Sequence, residues 1–158
     1  PYPDIDSCTG SAFSAPVDSN VPRTLGMIFD EYESDLHYPY PTSGDLSAWV
    51  EQGVLLWNAI PTCTAGRSLS HDWDEWYPLN KEIISRLSGH DVVFVFLGSV
   101  ASRYAKLVPP WLPVIEAAHP SPRANISAKQ PFKGSRIFTR VNDALVSLDQ
   151  PAIDWRLK

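Results

Sequence analysis

The chain has 158 residues, of which 44% are hydrophobic, and its formal net charge is −5 at pH 7. This length and composition predict one globular domain with a sizeable core. There is no apolar run of about 18 residues and no basic segment leading into an apolar one, so neither a membrane span nor a secretory signal is indicated, and we expect a cytoplasmic (intracellular) protein. Cys8 and Cys63 lack metal-ligand spacing, which favours free thiols.

The charge is unevenly distributed along the chain. Residues 1–100 hold four basic residues against fourteen acidic ones, whereas residues 101–140 hold seven basic residues against one acidic residue. The seven are Arg103, Lys106, Arg123, Lys129, Lys133, Arg136 and Arg140. This asymmetry predicts one basic face that suits a polyanion, and the alternative is a solvated basic surface without a partner.

The N-terminal third is predicted to be a loop followed by a helix. Residues 1–24 are rich in Pro, Ser, Asp and Gly without a sustained period, which predicts irregular structure held to the body by Phe13. Thr24 is the predicted N-cap of the first helix, and residues 37–41, with two prolines, end it. The apolar face of this helix is formed by Leu25, Ile28, Phe29 and Tyr32.

The next stretch is predicted to contain a short helix, a strand and a longer helix. The short helix begins near Asp45, and residues 54–57 form a buried strand. After a loop, residues 70–76, three of which are acidic, begin a helix. The acidic residues lie at the end where the helix dipole favours negative charge, and the helix continues to Gly89. His71 in this acidic stretch raises the alternative of a metal site, but the spacing better suits capping.

Two further strands are predicted in the second half of the chain. Residues 92–97 are the clearest buried strand, followed by Gly98-Ser99 and a helix over residues 101–106. Residues 112–117 form the next strand. Strands alternating with helices predict an α/β fold with a central parallel sheet covered by helices on both faces.

A rigid turn is predicted after the last strand. Pro120 and Pro122 deny the backbone helix and ladder hydrogen bonds, so the chain turns there and presents His119. A polar loop over residues 125–134 and a last helix over residues 138–148 follow. A lone histidine in such a turn is often structural, but functional loops gather at the carboxyl ends of parallel strands, where His119 lies together with Asn58 and Ser99.

Four motifs occur in the order found in one enzyme family. They are Pro1-Tyr2, the Gly-x-x-Phe-Ser segment ending at Ser14, Leu-Leu-Trp-Asn ending at Asn58, and His-Pro-Ser-Pro beginning at His119. Together they resemble the GQDPY, GxxFS, LLLN and HPSP motifs of the main, uracil-specific family of uracil-DNA glycosylases. The resemblance runs from Pro1 to Trp155. It implies a first strand upstream that ends in Gly-Gln-Asp, so residues 1–158 are expected to form a single glycosylase domain that is N-terminally incomplete.

The resemblance implies an activity as well as a fold. Members of the family flip uracil out of single- or double-stranded DNA and hydrolyse its N-glycosidic bond, leaving an abasic site for base-excision repair. It implies no cofactor, no metal, a monomer, and a DNA-mimicking proteinaceous inhibitor as a further partner. The alternative is a non-catalytic glycosylase-like protein that binds DNA or a replication partner, if no catalytic Asp precedes Pro1. A glycosylase for mismatched G·U or G·T is disfavoured by Tyr2.

The resemblance also assigns roles to residues at the matching positions. Asn58 donates its NH2 to uracil O4 and accepts from N3–H, a pattern that cytosine does not match. Phe13 stacks on the extracted ring, and Tyr2 packs against uracil C5 and excludes the thymine methyl. His119 donates a hydrogen bond to uracil O2 as negative charge develops there. The water-activating Asp is expected just before Pro1.

The DNA-binding residues implied by the resemblance are small hydroxyls and one arginine. Phosphate contacts are implied for Ser14, Thr24, Ser99 and Ser121. Arg123 stands where the family usually has a wedging Leu, and from this departure we expect a steeper salt dependence and a weaker preference for duplex DNA. Trp57 in place of Leu and Pro3 in place of His are two further departures.

Overall fold

The computed structural model describes residues 1–4, 6, 8–126 and 129–157. Two strands and six helices follow one another along these residues, and a 3-10 turn spans Ala105–Leu107. The strands are β1 (Phe94–Leu97) and β2 (Val114–Ala117). The helices are α1 (Arg23–Leu36), α2 (Ser47–Val50), α3 (Trp73–Leu87), α4 (Ser99–Ser102), α5 (Pro122–Asn125) and α6 (Ile137–Ser147).

The two strands form a parallel pair with a core on each face. Their register runs from Phe94 opposite Val114 to Leu97 opposite Ala117. Phe94 and Phe96 pack into a core with residues of α3, and Ile115 and Ala117 of β2 belong to a second core built with α1, α2 and α6. The predicted α/β fold, a parallel sheet with helices on both faces, is confirmed.

Two carboxylates of α1 hold the N-terminal end of α6. Glu31 is 1% exposed, and its oxygens accept hydrogen bonds from the backbone N–H groups of Gly134 (2.5 Å) and Arg136 (2.6 Å). Asp35 accepts from the N–H (3.0 Å) and the hydroxyl (2.6 Å) of Thr139. Because the first N–H groups of a helix have no partner inside it, α1 caps α6 across the fold.

The first helices differ from the prediction at their ends. Thr24 is not an N-cap, because α1 begins at Arg23 and Pro22 precedes it. The helix ends as predicted at residue 37, where His37 takes a left-handed conformation. The short second helix begins later than Asp45, whose carboxylate instead accepts from the N–H and the hydroxyl of Ser47 at 2.9 Å.

The predicted buried strand over residues 54–57 is wrong. Leu55 and Trp57 are 58% and 42% exposed, and these residues form no strand in the part of the chain that the structure describes. The segment is attached instead by the N–H of Ala12, which donates to the carbonyl of Leu56 at 2.9 Å. Four apolar residues in a row predicted burial on both faces, but the side chains alternate between half-buried and exposed.

The remaining predicted elements are present, with shorter or shifted limits. The predicted helix over residues 101–106 is divided between α4, which begins at Ser99, and the 3-10 turn. The single turn α5, just before the predicted polar loop, was not expected, and residues 127 and 128 of that loop lie outside the described residues. Both cysteines are free thiols. Across the described ranges, no helix is long and apolar enough to cross a membrane.

Candidate active site

His119 lies in a turn that begins directly after β2. The N–H of Ala118 donates to the carbonyl of Gln130 at 2.8 Å, and the N–H of Ser121 donates to the carbonyl of His119 at 2.7 Å. Pro120 is buried, and Pro122 begins α5. Because the prolines restrict the backbone and these hydrogen bonds close the turn, the imidazole is held at the carboxyl end of the strand.

Gly98 brings the end of β1 against this histidine. Its N–H donates to the carbonyl of Ala117 at 2.9 Å, and its φ is +91° with ψ 162°, a conformation adopted essentially only by glycine. A Cβ at this position would lie 2.8 Å from Cβ of His119. Glycine is therefore required both by its own backbone and by the approach of His119.

Asn125, at the end of α5, ties the His119 turn to the loop that follows. Its Nδ2 donates to the carbonyls of His119 (3.1 Å) and Ser121 (2.8 Å). Its Oδ1 accepts from the N–H groups of Phe132 (2.7 Å) and Lys133 (3.2 Å). The sequence analysis did not single out Asn125, although asparagine after a Pro-Ser-Pro turn is suited to such local backbone bonding.

Phe13 lies against His119, and Tyr2 is bonded to the backbone of Phe13. The rings of Phe13 and His119 have centroids 5.8 Å apart and planes at 51°. Phe13 has a φ of +66°, and its carbonyl accepts a hydrogen bond from the Tyr2 hydroxyl at 3.0 Å. The N-terminal loop and the turn after β2, separated by more than a hundred positions, therefore contribute to the same site.

Burial sets the protonation of two of these side chains. It lowers the pKa of His119 below its ordinary value of 6.5. The imidazole is therefore neutral near pH 7 and carries one N–H that can donate. Burial also raises the pKa of Tyr2 to about 12, so its hydroxyl remains protonated and holds Phe13.

Asn58 is half-buried in the segment that follows Leu56. That segment adjoins the Phe13 loop through the Ala12 to Leu56 backbone hydrogen bond. Among the described residues, no side chain forms a hydrogen bond with the Asn58 amide. Its donors and its acceptor are thus not engaged by the protein side chains around it.

Asn80 of α3, which the sequence analysis missed, holds the residues on both sides of Asn58. It is 3% exposed. Its Oδ1 accepts from Trp57 Nε1 at 2.8 Å, and its Nδ2 donates to the carbonyl of Ala59 and to the Tyr104 hydroxyl, both at 2.7 Å. A single Asn in a helix gives no sequence signal of such a role, because the partners lie 21 to 24 positions away.

The residues predicted to contact DNA differ in their surroundings. Ser14 is 3% exposed, and its hydroxyl oxygen accepts from the N–H of Leu46 at 3.1 Å. Thr24 and Ser121 are half-buried. Ser99 and Arg123 are exposed, at the start of α4 and within α5.

The acidic stretch with His71 has a structural partner in the described fold. Thr62 Oγ1 and His71 Nδ1 are 2.7 Å apart. Within the described ranges, no group of three or more His, Cys, Asp or Glu residues could hold a metal ion. Chemically, the site around His119 offers a neutral, oriented N–H beside an aromatic ring, which can stabilise a planar group that gains negative charge.

Comparison with known proteins identifies relatives over nearly the whole chain. A family model described as the uracil DNA glycosylase superfamily matches residues 2–146. The uracil-DNA glycosylase of Mycobacteroides abscessus is 41% identical over 160 residues, which cover 99% of this chain and 70% of the relative. That of Mycolicibacterium vanbaalenii is 39% identical over 160 residues, covering 99% of this chain and 69% of the relative.

Solved structures share the fold. A mimivirus UNG variant in complex with UGI matches with a TM-score of 0.85 and 24% identity, over 96% of this chain and 62% of that chain. The mimivirus uracil-DNA glycosylase matches with a TM-score of 0.82 and 23% identity, over 96% of this chain and 61% of that chain. The chain thus spans less than two thirds of the length of these solved structures, and the likeness concerns the fold.

Proposed function

The chain belongs to the uracil DNA glycosylase superfamily, and from this membership we propose that it is a uracil-DNA glycosylase that extrudes uracil from DNA and hydrolyses its N-glycosidic bond. The observation that carries the proposal is the packing of Phe13 against His119, with ring centroids 5.8 Å apart, at the end of β2. In this reaction water adds to C1′ of the deoxyribose, the bond from C1′ to uracil N1 breaks, and the bonding electrons leave with the base.

His119 stabilises the departing base. Negative charge on the uracil anion is shared with O2, and a neutral imidazole N–H aimed at O2 stabilises the charge as it forms. The lowered pKa of His119 favours this neutral donor near pH 7. A preorganised donor of this kind typically accounts for about 2.7–4 kcal/mol of transition-state stabilisation.

Three other side chains recognise the base. The Asn58 amide, free of protein side-chain bonds among the described residues, pairs with uracil O4 and N3–H. Cytosine presents the opposite pattern at these atoms and would leave buried groups unpaired. Phe13 supports the ring, and Tyr2, whose hydroxyl fixes the Phe13 carbonyl, excludes a methyl group at C5.

The proposed contacts with the DNA backbone are made by Ser14, Thr24, Ser99, Ser121 and Arg123. Residues 1–158 form part of one glycosylase domain. Small hydroxyls next to main-chain amides in loops suit phosphate oxygens, and the exposed guanidinium of Arg123 adds a charge. Family resemblance assigns water activation to an Asp immediately before Pro1. The protein acts inside the cell as a monomer, and a DNA-mimicking inhibitor would occupy the same surface, by analogy with the mimivirus UNG variant in complex with UGI.

Uracil release from a labelled oligonucleotide tests the proposal. The chain, in its longest natural form, releases uracil, and His119→Leu slows release about 100-fold or more while DNA affinity changes little. His90→Leu is the matched control, because His90 is exposed and lies in the connection between α3 and β1, outside the turn after β2. Native-rate release by His119→Leu would remove the electrostatic role. A chain that binds DNA and releases no uracil would instead support the non-catalytic alternative.

A further inference from the structure

We propose that Asn80 is a positioning residue that sets the orientation of the Asn58 amide and thereby the selectivity of the site for uracil. This inference rests on the proposed function. Asn80 does not approach the base itself, because it lies in the buried face of α3. It acts through Trp57 and Ala59, the two neighbours of Asn58 in the chain, each of which it hydrogen-bonds.

The orientation of the Asn80 amide is fixed by its partners. The indole Nε1 of Trp57 only donates, and the carbonyl of Ala59 only accepts, so Oδ1 faces the former and Nδ2 the latter. The second hydrogen of Nδ2 is donated to the hydroxyl of Tyr104, a residue that follows β1 and α4 in the chain. Asn80 therefore joins the Asn58 segment to a helix and to the region after β1, with three bonds of 2.7–2.8 Å.

These bonds matter because they attach the residues on either side of Asn58. Residues 54–57 are not part of the sheet of the described structure, and Leu55 and Trp57 are 58% and 42% exposed. Earlier in the segment, the N–H of Val54 donates to the carbonyl of Trp49 at 3.2 Å, the carbonyl of Leu56 accepts from Ala12, and the side chains of Val54 and Leu56 pack against the core. From Trp57 to Ala59, the hydrogen bonds of the described structure are those made by Asn80. Without Asn80, the backbone around Asn58 gains freedom, and an amide that must pair two atoms of a base loses its alignment.

The site needs asparagine because it needs a donor and an acceptor at once. Aspartate would present no donor to the carbonyl of Ala59, and alanine or leucine would leave that carbonyl and the Trp57 indole without this partner. Trp57 stands where the family usually has Leu, so the bond from Trp57 Nε1 to Asn80 is a feature of this chain. Trp57 and Asn80 thus form a pair that can be tested together.

The experiment compares Asn80→Ala and Trp57→Phe with the native chain. Trp57→Phe removes the indole donor from a side chain that is already 42% exposed. This variant should fold, and it therefore tests the inference even if Asn80→Ala is too unstable to assay. The matched control is Asn142→Ala, since Asn142 also bridges a segment, with two 3.0 Å bonds to the backbone of Ile153. Four quantities are measured: the melting temperature, kcat and KM on uracil in single-stranded DNA, inhibition by free uracil, and release of cytosine.

We expect Asn80→Ala to weaken inhibition by free uracil and to lower the preference for uracil over cytosine, each about tenfold. Trp57→Phe should shift both in the same direction by a smaller factor, and the double variant should be less than additive. Asn142→Ala should lower the melting temperature with native selectivity. If Asn80→Ala and Trp57→Phe keep native selectivity and uracil inhibition in an active chain, the inference is overturned. If the native chain itself releases no uracil, the proposed function is overturned, and the inference about Asn80 is overturned with it.

Discussion

Gly98 and His119 are packed so closely that a side-chain carbon on Gly98 would lie 2.8 Å from Cβ of His119. The two residues follow the two parallel strands, Gly98 after β1 and His119 two positions after the end of β2. This approach explains how a histidine on a loop acquires a fixed position: the strand pair carries the loop, and the missing side chain of Gly98 admits it. A substitution at this contact should therefore displace His119 and lower the rate of uracil release.

Gly98→Ala is expected to lower uracil release by about tenfold or more and to destabilise the fold by about 1–3 kcal/mol. The methyl group meets His119, and the backbone at φ +91° and ψ 162° is one that alanine avoids. Gly53→Ala is the matched control, because Gly53 has a φ of +94° and nothing within 4 Å of its added Cβ. Kinetics and thermal unfolding of both variants separate backbone strain from displacement of His119. Equal losses of activity in the two variants would contradict the prediction.

Asn125→Ala is expected to reduce activity while leaving DNA affinity nearly intact. The variant removes four hydrogen bonds that join His119 and Ser121 to the backbone of Phe132 and Lys133. It should destabilise the protein by about 1–3 kcal/mol, because backbone groups in a half-buried loop lose their partners. Single-turnover uracil release and chemical denaturation measure the two effects.

Gln52→Ala serves as the control for Asn125. Gln52 also bridges the backbones of two residues, donating to the carbonyls of Ala48 and Asp154 and accepting from the N–H of Asp154. It is exposed and ties the C-terminal tail to α2. If Gln52→Ala slowed uracil release as much as Asn125→Ala does, the effect would reflect general loss of stability and not the His119 turn.

The pH dependence of stability should carry a contribution from His119. Burial lowers its pKa in the folded protein below the ordinary value of 6.5 that it regains on unfolding. The unfolded chain therefore binds more protons as the pH falls through 6.5, and the folded state loses stability until the pH reaches the lowered pKa. Near pH 7 and above, both states are neutral at this residue and the contribution vanishes.

Urea unfolding of the native chain and of His119→Gln between pH 5 and 8 checks this sign. The stability of the native chain relative to His119→Gln should fall as the pH drops below about 6.5. His90→Gln provides the control, because His90 is exposed and lies outside the turn after β2. A native stability that increases relative to His119→Gln at low pH would show that the imidazole gains a proton on folding, contrary to its burial.

The local pattern of the sequence predicted the two strands and the turn after the second. It did not predict the side-chain contacts that hold the site. Residues 92–97 and 112–117 were recognised because apolar runs bounded by Gly and Pro predict short strands. Residues 54–57 have the same composition, yet they lie half-exposed, because burial depends on which elements pair and not on the run itself. Asn80 has ordinary neighbours in sequence, and its role arises from partners brought close by folding, whereas the partners of Asn125 lie only four to eight positions away. Family resemblance placed Phe13, Tyr2 and His119 in one site; in the structure the rings of Phe13 and His119 are in contact, and the Tyr2 hydroxyl donates to the Phe13 carbonyl.

Arg123 should make the enzyme more sensitive to salt than a form with leucine at the same position. Arg123 is exposed on α5, three residues after Pro120 in the His119 turn, and among the described residues no carboxylate pairs with it. A guanidinium that contacts phosphate releases a counterion on binding, so each such contact steepens the salt dependence by roughly one logarithmic unit per unit of log salt. Arg123→Leu should therefore show a shallower slope of log(kcat/KM) against log salt. It should also release uracil from duplex DNA relatively faster, because an apolar side chain can fill the space left by the extruded base.

Arg67→Leu is the control for this change, since Arg67 is exposed in the loop before α3 and lies outside residues 101–140, where the basic residues are concentrated. The slope for Arg67→Leu should equal that of the native chain if the salt effect is specific to the His119 turn. The two slopes are measured on the same single- and double-stranded oligonucleotides between about 50 and 200 mM salt. Equal slopes for Arg123→Leu and the native chain would mean that the arginine does not contact the DNA backbone. Any difference in duplex preference would then depend on the shape of α5 and not on the charge of Arg123.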